Sequence, residues 1–136
     1  MNVPENLMYT NDHEWILLDG SKGKIGITDY AQDALGDVVF VDMPSLGEVV
    51  SSGQTVSEVE STKSVSDIYA PLAGTIIEIN AELDNSPELL NDDPYGDGWI
   101  FVIEFSDAST VKDLLIPQKY RELIEGESWT MTLRTK

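Results

Sequence analysis

At 136 residues, 41% hydrophobic and 24% charged, the chain has the composition of one soluble globular domain. Twenty-five acids against eight Lys plus Arg give a net charge of −17, which repels nucleic acid and anionic membranes and reads equally as a device for solubility or as steering toward partners with basic docking faces. With no cysteine there are no disulfides, thiolate metal sites or cysteine nucleophile, and no apolar run approaches the roughly 18 residues that span a bilayer.

Met1-Asn2-Val3-Pro4-Glu5-Asn6 has neither the basic and apolar regions of a secretory signal nor the Arg-rich character of a transit peptide. The expected location is the cytoplasm, with a processed mitochondrial form as the other option. Trp15-Ile16-Leu17-Leu18 and Lys24-Ile25-Gly26-Ile27 flank turn-forming residues 19–23, which predicts a hairpin with a longer loop. Thr28-Asp29 reads as an N-cap and a first-turn acid, opening a helix over 30–35 that Gly36 stops.

A strand over 38–41 ends at Pro44. Short β segments follow at 49–50, 55–59, 67–70 and 75–79, punctuated by Gly47, Gly53, Pro71 and Gly74. Ser86-Pro87-Glu88 predicts an N-cap with Pro at the first helical position and a short helix through Leu90; residues 92–98 form a turn-rich loop. Residues 99–105 are the clearest strand, with Trp99, Phe101, Ile103 and Phe105 on one face. Helices follow over 109–115 and 117–125, the second packing Tyr120, Leu123 and Ile124 and closing at Gly126, while the last ten residues read as frayed.

The pattern predicts a mainly β fold, a sandwich or flattened barrel with short helices and a C-terminal helical tail over about 107–126. One domain spans 1–136, with its core at about 5–125. Gly47-Glu48-Val49-Val50 and Gly74-Thr75-Ile76-Ile77 form a faint internal echo, which hints at two β units facing each other across Lys63.

Between Lys24 and Lys112 the chain has 17 acids and a single base, Lys63. Small polar residues flank it in Glu60-Ser61-Thr62-Lys63-Ser64-Val65-Ser66-Asp67, with β segments leading in and out, so it is expected at a hairpin tip. An exposed amine on a long stem is what a modifying enzyme needs. On these residues alone, a solvated lysine balancing nearby acids is the simpler reading.

The surrounding segments are more specific. They are Tyr9-Thr10, His13-Glu14-Trp15, Gly26-Ile27-Thr28-Asp29-Tyr30-Ala31-Gln32, Leu35-Gly36-Asp37-Val38-Val39-Phe40-Val41 and Val59-Glu60-Ser61 with Lys63. They continue with Ser66-Asp67-Ile68-Tyr69-Ala70-Pro71, Gly74, Asn80, Ser86-Pro87-Glu88-Leu89, Asn91 and Asp93-Pro94-Tyr95-Gly96-Asp97-Gly98-Trp99. In this order the chain resembles the H-protein family of the glycine cleavage system, from about residue 5 to residue 125.

The resemblance implies a lipoyl-domain-like barrel-sandwich hybrid and a non-catalytic carrier of lipoic acid, attached as an amide to Lys63 of the Glu-Ser-x-Lys segment. Gly47 and Gly74 match the glycines that flank the lysine in lipoyl-bearing domains. Thr62, Ser64 and Val65 depart from the family's usual valine and alanines but are similar in size. Biotin domains typically place methionine on both sides of the lysine, so Thr62 and Ser64 argue for lipoate.

A carrier so related shuttles an aminomethyl group from a pyridoxal-phosphate glycine decarboxylase to a tetrahydrofolate-dependent aminomethyltransferase, and is reoxidised by a dihydrolipoamide dehydrogenase. A lipoate ligase or lipoyl/octanoyl transferase loads it. Such a carrier is expected to be a monomer, with neither nucleic acid nor membrane as partner. In the family the loaded arm can fold back, and Glu14, Asp67 and His13 match the region implicated; each acid also reads as a solvated surface carboxylate, and His13 as a surface or strand-end residue. A lipoyl relay and a regulatory or binding module of the same fold are the alternatives.

No nucleophile–base–acid constellation accompanies the single histidine, so no catalytic residue is assigned. Asp93, Asp97, Gly98 and Glu104 fall at positions 1, 5, 6 and 12 of a calcium loop, but Pro94, Tyr95 and the following strand disfavour one, and no metal is assigned.

Overall fold

The computed structural model of the protein describes residues 1–126 and the backbone of Arg134–Thr135. In chain order the strands are β1 (Met8–Tyr9), β2 (Glu14–Asp19) and β3 (Lys22–Ile27), then helix α1 (Asp29–Leu35). After it come β4 (Val38–Asp42), β5 (Val49–Val50), β6 (Thr55–Ser61), β7 (Ser64–Tyr69) and β8 (Gly74–Ile79). Helix α2 (Leu89–Asp92), β9 (Phe101–Glu104), helix α3 (Pro117–Glu125) and β10 (Arg134–Thr135) complete the order.

Two antiparallel sheets result, one ordered β1-β2-β3-β9-β8-β5 and the other β10-β7-β6-β4; neither is a closed barrel. The fold is the mainly β architecture expected, with a C-terminal helix. Alternation drives it: along β7, Ser64, Ser66 and Ile68 are buried while Val65, Asp67 and Tyr69 are half-buried. Ile16, Ile25, Val41, Val59, Ile68, Ile76, Phe101 and Ile103 fill one core cluster. A second joins Val3, Leu7, Tyr9 and Trp15 to Tyr120 of α3.

Several local expectations are corrected. The β2–β3 turn is tight, pairing Asp19 with Lys22, because Gly20 at φ 60° supplies the left-handed first position of a two-residue turn. The strand expected from Trp99 begins at Phe101, and Phe101, Val102 and Ile103 are all buried, so both faces are covered. Ser86 does not cap α2, which starts at Leu89, and a 3-10 turn at Ala81–Asp84 capped by Asn80 precedes it.

In place of a helix over 109–115 there is a 3-10 segment, Ala108–Asp113, capped by Asp107, after which Leu115 bridges to Tyr9. The Asp93 carboxylate is engaged within its own loop, accepting the Asp97 N–H at 2.9 Å. The frayed reading of residues 127–136 falls outside the described residues, except that Arg134–Thr135 pair with Val65 and Ser64.

The internal echo has a structural counterpart. Val49 pairs with Thr75 and Val50 with Gly74, and the Gly47 N–H donates to the Ile76 carbonyl at 2.8 Å. The two similar segments are therefore bonded to each other, and residues 51–73 form an excursion with Lys63 at its far end. Among the described residues no helix is long and apolar enough to cross a membrane.

Candidate functional site

β6 and β7 pair from Thr55 opposite Tyr69 to Glu60 opposite Val65, leaving Thr62 and Lys63 exposed at the tip. Ser61 holds this tip from within. Its buried hydroxyl oxygen accepts the N–H groups of Lys63 (3.3 Å) and Ser64 (3.0 Å) and lies 3.2 Å from the Ser64 carbonyl, to which it donates. A serine can thus satisfy backbone groups that the turn leaves without ladder partners. Outside the hairpin, the Thr62 N–H donates to the Asp37 carbonyl at 3.0 Å, fastening the tip to the connection between α1 and β4. A bulge in neighbouring β4 leaves Val39 and Phe40 exposed, Phe40 by 54% and directly opposite Glu60.

The residues expected around a loaded arm divide. Asp67 is half-buried on β7, four residues from Lys63, a strand distance of about 13 Å at roughly 3.3 Å per residue. Glu14, expected as a solvated carboxylate, is instead 1% exposed. Its Oε2 accepts the Tyr69 N–H at 2.7 Å and its Oε1 the Thr10 hydroxyl at 3.2 Å. Burial pushes its carboxyl up to about 8; the Tyr69 N–H opposes this most, the Asp12 charge adds to it, and the Thr10 hydroxyl opposes it.

His13, expected at the surface, is 3% exposed. It follows Asn11 and Asp12 in the β1–β2 connection and takes φ 64°, the left-handed position that glycine favours in a three-residue hairpin loop. Such a conformation costs a non-glycine residue about 1–3 kcal/mol and persists only where its surroundings hold it. Here Nδ1 lies 2.8 Å from the Tyr120 hydroxyl, and the ring stacks on Tyr30 with centroids 4.9 Å apart. Burial lowers the imidazole to about 4, so it is neutral at physiological pH.

The Tyr120 hydroxyl also lies 2.7 Å from Thr28 Oγ1, the N-cap of α1, which accepts the Ala31 N–H at 3.1 Å. With one proton, Tyr120 donates to one neighbour and accepts from the other. Its ring stacks on Tyr9 at 4.5 Å, and burial raises both phenols. The C-terminal helix therefore positions His13 and the start of α1 together.

Sequence reasoning missed Ser61, Gly36, Asn91, Thr10, Tyr69 and Tyr120 as parts of this region. Ser61 had a signal, its place two residues before the lysine; the Tyr120 hydroxyl had none, because its partners are about a hundred residues away.

Residues 7–127 match the family model described as "Glycine cleavage H-protein". The chain belongs to the glycine cleavage H-protein family. A "Glycine cleavage system H protein" of Thermus thermophilus is 51% identical over 128 residues, which cover 94% of this chain and 100% of the relative. One from Bacteroides thetaiotaomicron is 49% identical over 126 residues, covering 93% and 100%. The crystal structure of a glycine cleavage system H protein from Mycobacterium marinum superposes with a TM-score of 0.79 at 39% identity, covering 92% of this chain and 100% of that one. The chain is accordingly a lipoyl-carrier component of the glycine cleavage system and not a catalyst, and it works with the other components of that system.

Proposed function

We propose that Lys63 carries lipoic acid in amide linkage, the whole chain 1–136 acting as one carrier domain in the cytoplasm. The observation that carries this is the exposed amine at the tip of a hairpin braced by Ser61 and by Asp37. Neither bond uses the lysine side chain, so acylation removes a charge without disturbing the turn that presents it. When bound, the cofactor supplies a dithiolane whose sulfur takes up and returns an aminomethyl group.

The protein's own contributions are access, reach and a place to hold an amine. Thr62 and Lys63 offer the arm outward to glycine decarboxylase, aminomethyltransferase, dihydrolipoamide dehydrogenase and the lipoate ligase or lipoyl/octanoyl transferase that loads it. Tethering keeps its local concentration high at each docked partner, and the acidic surface favours brief electrostatic docking. Asp67 lies on the lysine hairpin itself, on the same face as Glu60, which is one same-face pair nearer the tip. Glu14 lies deeper, and Thr10 and Tyr69 must yield before it contacts an arm; a cation arriving there would draw the proton from its carboxyl. His13 supports that pocket through its neutral ring and its bond to Tyr120.

Expression with lipoate in a lipoylation-competent host tests the assignment. The intact mass of the wild type gains a lipoyl increment, and Lys63→Arg gains none. Wild-type chain that stays unmodified overturns it.

A further inference from the structure

Helix α1 ends at Gly36, which has φ 82° and ψ −161° and closes the helix by donating its N–H to the Gln32 carbonyl at 3.1 Å. A Cβ at this position would fall 3.2 Å from Lys63 Cε and 3.8 Å from both Cδ and Nζ. The stem of the lysine thus lies across the α1–β4 connection, in a notch that exists because Gly36 has no side chain.

That connection is braced on two sides. The Asn91 side-chain N–H₂ donates to the Gly36 carbonyl (2.9 Å) and to Gln32 Oε1 (3.1 Å), while Asn91 Oδ1 accepts the Val38 N–H at 2.9 Å. One amide therefore ties α2 to the end of α1 and the start of β4. From the other direction, the Asp37 carbonyl accepts the Thr62 N–H at 3.0 Å. Tip and notch are linked through backbone, so the stem keeps its relation to the floor beneath it.

A free lysine side chain spreads over many rotamers, and ordering it costs up to about 2 kcal/mol. A floor that restricts the stem beforehand removes part of that cost when an enzyme docks. We propose that the Gly36 notch, braced by Asn91, is a positioning device for Lys63: it sets the direction in which the amine is presented for acylation and in which the arm later leaves the carrier. Gly36 and Asn91 act through the lysine and do not meet the reacting carbonyl. The inference rests on Lys63 as the attachment point.

The full chain supplies its own control. Gly53 has φ 87°, close to that of Gly36, but a Cβ there meets nothing within 4 Å. Gly36→Ala and Gly53→Ala both place an alanine at positive φ, and only the first adds a side chain beneath the lysine. Lipoylation is followed by intact mass with a lipoate ligase, and kcat/KM is corrected for the folded fraction. Gly36→Ala is expected to lose about tenfold while Gly53→Ala stays near wild type. Asn91→Ala should lose less, in the same direction.

A second measurement needs no variant: the unmodified wild type should show a nuclear Overhauser contact between the Lys63 Hε protons and Gly36 Hα. Equal rates for the two alanine variants, or no such contact, overturn the proposal. A wild type that accepts no lipoyl group overturns the Lys63 assignment instead, and the Overhauser contact still tests the notch.

Discussion

The two ends of α1 keep opposite company. Beside its C-terminal end Lys63 sits on an exposed tip, held through backbone bonds at Ser61 and Asp37 that leave its charge untouched. At its N-terminal end Thr28, Tyr120 and His13 form a sealed polar group, with Glu14 next in the chain and also buried. The lysine is charged and reachable; the carboxyl is buried among neutral donors, with its proton retained. The proposed attachment at Lys63 needs access, and that end forgoes burial. A site for holding a cargo gains from low dielectric, where a charge that appears is felt strongly.

The contrast can be broken at the exposed end first. Lys63→Arg should abolish the lipoyl increment completely while shifting stability by no more than about 0.5 kcal/mol in thermal unfolding, because the side chain is exposed. A large loss of stability would mean that the tip is part of the packed structure after all. At the buried end the balance reverses. Tyr120→Phe should leave lipoylation intact but cost about 1–3 kcal/mol in denaturant unfolding, since His13 Nδ1 and Thr28 Oγ1 lose a shared partner. Ser61→Ala should cost less, about 1 kcal/mol, because its partners lie next to solvent-facing Thr62 and Lys63.

The most diagnostic prediction is in pH. Glu14 goes from about 4.5 unfolded to about 8 folded, so across that window the folded state holds a proton that the unfolded state has released. Stability contributed by this group therefore falls as pH rises through the window. Glu14→Gln should remove this group's fall in stability between about pH 4.5 and 8. His13 has the other sign: between about 4 and 6.5 the unfolded state binds the extra proton, so stability falls on acidification, and His13→Gln should flatten the acid limb. A profile unchanged by both substitutions would mean that neither group is as sealed as its neighbours imply.

How much of this was written in the chain follows the same division. The β segments leading in and out of the tip, the stop at Gly36 and the isolation of Lys63 are local patterns, and each was legible, though the two strands run closer to the lysine than 55–59 and 67–70. Asp12-His13-Glu14 reads as a solvated polar stretch, yet two of its three side chains are buried. His13 is covered by α3, whose Tyr120 returns to the start of α1 from 107 residues beyond it, and Glu14 is held by Thr10 and by Tyr69 of β7. Amphipathic spacing predicted that Tyr120 would pack, but not what its hydroxyl would meet. The tight turn at Gly20 and the late start of β9 were misjudged for a related reason: cross-strand register sets where ladders begin, and register is not a property of one segment.

The pairing of Val49 with Thr75 and Val50 with Gly74 has a mechanical meaning. When a partner grips the proposed arm on Lys63 and the carrier drifts away, tension enters there and runs lengthwise down β6 and β7 together. It does not peel them apart, since both are drawn the same way. The β4–β6 ladder resists by sliding, with its hydrogen bonds sharing the load, and the closed base of the excursion returns the remainder to the larger sheet. A tether built this way can be tugged at every visit without opening the molecule that holds it.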